Sequence, residues 1–194
     1  MTYEVKDYSK LLGMPGFSDA LLNNHLTFYQ GYVKNTNAVM EQLASMAADL
    51  KPEAPTPHYA ELKRRMGWEF NGMRLHEYYF DNLGATAPLT QFSRLSGMLA
   101  AQFGSCEEWE ADFRATGTMR GIGWAILYQD NITGNLFNQW VNEHDAGHWS
   151  GCRPILVMDV FEHAYMLDYG LKKAAYVDVF FKNANWAAAE SRLG

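Results

Sequence analysis

The sequence predicts an α+β fold: an N-terminal antiparallel α-hairpin followed by an α/β domain with a small, three-stranded antiparallel sheet. Three observations carry this prediction. Apolar residues recur at helical spacing through two long stretches, separated by a proline-rich break. Two β-favouring runs flank a turn-forming segment at 130–135. A third such run, Arg153-Pro154-Ile155-Leu156-Val157-Met158, ends on the carboxylate of Asp159, just before a helical, amphipathic stretch. The chain divides on this reading at 88/89, with the hairpin over 1–88 and the second domain over 89–194.

Each element follows from local chemistry. Ser18 is a candidate N-cap, and the first helix runs over 21–50. Lys51-Pro52-Glu53-Ala54-Pro55-Thr56-Pro57 breaks it, because fixed proline φ angles and missing N–H donors oppose a helix interior. A second helix spans 59–83 and stops at Gly84-Ala85-Thr86-Ala87-Pro88. Two further helices fall at 90–103 and 106–116, with Ser105 as the cap of the latter. Strands are expected at 123–128 and 136–142 around Asp130-Asn131-Ile132-Thr133-Gly134-Asn135, then at 155–158, with helices closing the chain.

Composition narrows the function classes. The chain has 194 residues, 48% hydrophobic and 20% charged, as in a globular protein. No apolar run reaches membrane-spanning length, so no membrane partner is expected. The start, MTYEVKDYSK, lacks an apolar signal-peptide core, so a cytoplasmic location is expected. Cys106 and Cys152 form no C-x-x-C pattern and read as two reduced thiols. The net charge of -6 without a basic run argues against nucleic acid.

The most informative segment is DVFEHAYMLDY, 159–169. It places Asp159 and His163 four positions apart across a strand-to-helix turn, and a carboxylate with an imidazole is a common ligand pair for a transition metal. Glu162, beside His163, can orient a ligand from outside. Spacing alone is weak, since D-x-x-x-H recurs by chance. The whole string resembles the D-V-W/F-E-H-A-Y-Y-x-D-Y signature of the iron/manganese superoxide dismutases. The resemblance extends over about 16–186, through Y-V-K-N-T-N (32–37), F-N-G-M-R-L-H (70–76), G-x-G-W-A-I-L (121–127) and a closing Asn185-Trp186; the first fifteen residues fit it poorly.

The resemblance implies one iron or manganese ion per subunit, with a slight lean to iron, held by His25, His76, Asp159 and His163 and completed by water or hydroxide. His76 taken alone reads as a core histidine satisfied by a hydrogen bond. The first helix is less clean. The family ligand stands eight residues before the Tyr of Y-V, which is Asn24 here, whereas His25 stands seven before Tyr32. One helical position swings a side chain by about 100°. An amide is a poor partner for a redox metal beside imidazoles, so His25 is favoured, provided that the helix lacks the extra residue of a π-bulge.

Further roles follow from the same resemblance. Tyr32 corresponds to the tyrosine at the substrate gate. His144 corresponds to a residue that hydrogen-bonds the metal's water and tunes its acidity, with His148 as a competitor. The alternative, earlier place for that residue is Gly72, which has no side chain. Glu162 corresponds to a glutamate that reaches the partner subunit's ligand histidine, and Lys172 to a cation near the funnel. A histidine–tyrosine bridge between subunits is replaced, with Phe28 or Tyr29 at one place and Met166 at the other. Trp68, Tyr78, Phe80, Trp124, Phe161 and Trp186 are expected to wall the pocket. The implied substrate is superoxide, and the implied assembly is a homodimer or homotetramer. A metal-binding relative without useful dismutase activity is the alternative.

Overall fold

The computed structural model describes residues 2–47, 54–84 and 87–194. Helix α1 spans Asp19–Met46 and α2 spans Pro57–Asp81, and the two pack against each other as a hairpin. Ser18 caps α1 by accepting from the backbone N–H of Leu21, satisfying one of the free donors at the helix start. Helix α2 begins two residues earlier than the spacing predicts. Thr56 caps it, and Pro57 occupies its first turn, where a missing N–H costs nothing. The predicted end of the first helix at Leu50 and Lys51, Pro52 and Glu53 of the proline-rich break lie outside the described residues, as do Ala85 and Thr86 of the next link.

Helix α3, Arg94–Phe103, is capped by Ser93, and α4, Cys106–Thr118, by Ser105. Strands β1, Trp124–Asp130, β2, Leu136–Val141, and β3, Cys152–Asp159, form an antiparallel sheet in the order β2-β1-β3. Strand β3 is longer than expected because Pro154 is tolerated within it. It lies in an edge strand, where the register against β1 slips between Leu127 and Tyr128, so no central ladder bond is lost.

The free side of β3 is closed by side chains rather than by another strand. Buried Asn82, just past α2, accepts from the N–H of Val157 at 3.0 Å. Arg192 donates to Asn82 at 2.9 Å and to the carbonyl of Ile155 at 2.9 Å.

After β3 the chain is not one helix. A 3-10 turn, Glu162–Ala164, is followed by α5, Met166–Tyr169, then by Gly170 at φ 51, then by α6, Lys173–Lys182, and α7, Trp186–Glu190. A positive φ is cheap only for glycine, which is why the helical run stops there.

One buried apolar cluster runs through both halves, from Leu21 and Phe80 to Leu127, Val157 and Phe180. Each such large side chain contributes about 1.5–3 kcal/mol when fully buried. The end of the signature segment locks the start of α1 into this arrangement. Asp168 accepts from both the N–H and the hydroxyl of Ser18, at 2.7 and 2.6 Å, and Tyr169 donates to the carbonyl of Gly16.

Candidate metal centre

Asp159 is the last residue of β3, paired with Trp124 on β1 and wholly buried. The N–H of Val160 then donates to Gly123 at 2.9 Å, and the N–H of Phe161 donates to Oδ1 of Asp159 at 2.9 Å. This turn leaves Oδ2 facing inward. Three imidazole nitrogens surround it: Nε2 of His25 from α1 at 3.0 Å, Nε2 of His163 from the 3-10 turn at 3.2 Å, and Nε2 of His76 from α2 at 3.6 Å. One ligand atom from each of the four residues lies within 4.8 Å of the others.

Outer contacts orient the rings. Nδ1 of His76 lies 2.6 Å from the carbonyl of Gly72, one turn earlier in α2, so the proton sits on Nδ1 and the lone pair of Nε2 faces the cluster. The far nitrogen of His25 has no hydrogen-bond partner among the described residues, and packing against Tyr79 and Phe80 sets that ring. Tyr176 donates to the backbone carbonyl of Asp159 at 2.6 Å and bonds Tyr79 at 3.2 Å. Tyr176 was not singled out from sequence; at an apolar helical position it looks like any core aromatic.

Charge inside the cluster is sorted by burial and proximity. Burial holds the His25 and His76 rings below the usual histidine range, His76 further because His25 lies beside it. Burial alone would raise the Asp159 carboxyl, but His163 and His25 outweigh it and hold the group well below the carboxylate range. For His163, the attraction of Asp159 outweighs burial and raises the ring. The site is therefore a buried, ionised carboxylate facing two imidazoles, His25 and His76, that burial keeps neutral, the form in which a histidine ligates a metal.

Above the cluster, Tyr32 and His144 meet. Nε2 of His144 lies 2.8 Å from the hydroxyl of Tyr32, and the indole N–H of Trp124 donates to Nδ1 of His144 at 3.2 Å. Tyr32 stacks on His76 with ring centroids 5.1 Å apart, and Trp68 packs edge-on against His144 at 4.6 Å. A Cβ on Gly72 would stand 2.5 Å from the Tyr32 ring, so Tyr32 occupies the space that a side chain there would need. His148 points away from Tyr32, toward Tyr128 and the backbone of His144.

The remaining expectations separate. Phe28 is half exposed and stacks on His163 at 5.0 Å, whereas Tyr29 is buried and bonds Glu77; Phe28 is the one at the site. Asn24 is exposed and lies outside the cluster, on the wall of a cleft of about 540 Å³ shared with Phe28, Tyr32 and Trp68. Trp68, Phe80, Trp124 and Phe161 stand around the imidazoles, but Tyr78 and Trp186 do not. Tyr78 lies under Arg192, and Trp186 packs on Trp109 and Phe181, because the helix faces carrying them turn to β3 and α4.

Glu162 and Met166 are exposed. Lys172 is exposed at the start of α6, while its neighbour Lys173 is half-buried and donates to the carbonyls of Met119 and Gly121 at 2.9 and 3.0 Å. Burial lowers the Lys173 ammonium, and the charges of Glu162 and Asp159 oppose that shift. Nothing in the pair of adjacent lysines signals which one turns inward.

The sequence model of iron/manganese superoxide dismutases, C-terminal domain, matches residues 91–192. The chain is 38% identical to a superoxide dismutase [Fe] of Cupriavidus metallidurans over 100% of this chain and 97% of the relative. The chain belongs to the iron/manganese superoxide dismutase family. A superoxide dismutase [Fe] of Aquifex pyrophilus is 32% identical over 98% of this chain and 90% of the relative, and superoxide dismutase [Mn] 1 of Halobacterium salinarum is 33% identical over 96% and 90%. For an iron/manganese superoxide dismutase the cluster must accept one cation, and the donor set fits. Nε2 of His76 is buried without a hydrogen-bond partner among the described residues, and a cation among the four donors would satisfy it.

Proposed function

We infer that this chain is a superoxide dismutase carrying one iron or manganese ion, held by His25, His76, Asp159 and His163. The convergence of three imidazole nitrogens on Oδ2 of Asp159 carries this reading, together with full-length similarity to dismutases. When bound, the ion supplies the one-electron exchange by which two superoxide anions and two protons become dioxygen and hydrogen peroxide.

The chain's own residues prepare that exchange. Phe161 N–H holds Oδ1 of Asp159 and leaves Oδ2 as the donor, while Gly72 fixes the His76 tautomer. Trp124 donates to Nδ1 of His144, so the proton of neutral His144 is on Nε2, where it is donated to the Tyr32 oxygen. The Tyr32 O–H is then free to donate into the pocket. Burial raises the Tyr32 phenol and holds His144 down to about 4, so the first keeps its proton and the second stays neutral through physiological pH. Tyr32 and His144 are the groups proposed to hold and pass protons to the reduced product.

A net charge of -6 opposes an anionic substrate at long range, so local positive charge at the entrance counts. Lys172, exposed at the start of α6, is the proposed source, since the ammonium of Lys173 is engaged by the carbonyls of Met119 and Gly121. A homodimer or homotetramer is proposed, with Glu162, beside His163, reaching the partner subunit's ligand. Exposed Phe28, Met166 and Leu167 offer apolar surface near that contact. No helix among the described residues is long and apolar enough to cross a membrane. The two unpaired thiols, Cys106 and Cys152, fit a reducing compartment, and the cytoplasm is the proposed location.

The test is to load the metal-free protein with iron and with manganese separately, then measure metal per chain and dismutation per bound metal. One ion per chain with dismutation for at least one metal is expected. Stoichiometric metal without dismutation would make the chain a metal-binding relative instead.

A further inference from the structure

We propose that His148 is a positioning residue: together with Tyr128 it sets where His144 stands against Tyr32. This rests on the reading of His144 given above. His144 lies in the connection between β2 and β3, whose backbone is tightly wound. Glu143 sits at φ 58, a left-handed conformation rare for a non-glycine residue, Gly147 sits at φ 93, and Asn142 and Ala146 form an isolated antiparallel bridge. A small movement of this loop would carry the His144 ring away from its partners at 2.8 and 3.2 Å.

The loop is held by His148. Its Nε2 lies 2.7 Å from the carbonyl of His144, and its Nδ1 lies 2.6 Å from the hydroxyl of Tyr128. A carbonyl only accepts, so Nε2 carries the hydrogen, and the phenol donates to Nδ1. Tyr128 is 3% exposed on the central strand, a rigid base for the strut. Trp124 lies four residues earlier on β1, and strand alternation places both side chains on one face. The central strand thus grips His144 twice, at the ring through Trp124 and at the backbone through Tyr128 and His148. A histidine that only filled a loop would not spend both ring nitrogens on the base strand and the neighbour's carbonyl.

The metal-loaded protein tests this with His148→Phe, His148→Gln and Tyr128→Phe, with His144→Ala as the reference. Metal content, kcat and the midpoint potential of the bound metal are measured for each. His148→Phe is expected to keep its metal, lose about tenfold in kcat, and shift the potential in the direction of His144→Ala, as changes in groups that support a metal site do. His148→Gln supplies both an N–H donor and an oxygen acceptor and should restore kcat to within about twofold of wild type. Tyr128→Phe removes only a hydroxyl from an intact core, so it decides the question even if His148→Phe fails to fold; it should move the potential the same way. An unshifted potential in the Tyr128 variant, and in the His148→Phe variant where it folds, beside a shifted His144→Ala, overturns the strut. An unshifted potential in His144→Ala overturns the role of His144 itself.

Discussion

His25 and Asp159 stand 134 positions apart in the chain and meet at 3.0 Å between Nε2 and Oδ2. This contact sets the phase of α1. The helix is regular from Asp19–Met46, without a π turn, so seven residues bring His25 and Tyr32 to within about 20° of one face. Asn24 is turned about 100° away, toward the outside.

His25→Ala is accordingly expected to lose metal affinity by more than about 100-fold, exceeding the usual effect of removing an outer partner of a ligand. Asn24→Ala should retain both metal and dismutation. Metal content per chain after dialysis, with an activity assay, checks both; a fully metallated His25 variant would remove α1 from the ligand set.

Gly72 makes a second prediction, because a Cβ there would stand 2.5 Å from Cδ1 of Tyr32. In Gly72→Ala the ring must move, at a cost of about 1–3 kcal/mol in stability. The Tyr32–His144 bond should weaken with it, and kcat should fall while the metal stays bound, since the carbonyl that orients His76 is backbone. Urea unfolding and kcat at matched metal content give the two readouts.

His144 predicts a pH effect on the metal-free protein. Burial holds the folded-state ring down to about 4, below the ordinary histidine value of about 6.5 in the unfolded chain. As pH falls through the interval between these values, the unfolded state takes a proton that the folded state does not. His144 therefore removes stability across that interval, by up to about 1.4 kcal/mol per pH unit, and is neutral above it. His144→Gln should flatten this part of the stability curve. Parallel acid-dependent unfolding curves for wild type and variant would refute the assignment.

Glu162 is exposed in the single chain while its neighbour His163 touches Oδ2 of Asp159. If its carboxylate serves a partner subunit's histidine, Glu162→Ala should loosen the assembly by on the order of 2–5 kcal/mol and lower metal retention together. Sedimentation across a dilution series, read alongside metal content, measures the pair. Unchanged values in both would leave Glu162 as an ordinary surface carboxylate.

The sequence by itself determined the helices, their Ser18 and Ser105 caps, the three strands, and the types of donor that end at Asp159 and His163. These follow from periodicity, local hydrogen bonding and a recognisable string, all of which act over a few residues. What only the tertiary structure decided concerns facing and partnership. Phe28 rather than Tyr29 stacks on His163; Tyr78 and Trp186 turn to other partners; His148 braces His144 from behind; and Lys173, not Lys172, turns inward. Adjacent residues on a helix differ by about 100°, so their roles depend on where the opposing element lies. That position is set by contacts between distant segments, such as Asp168 with Ser18, which no local pattern encodes.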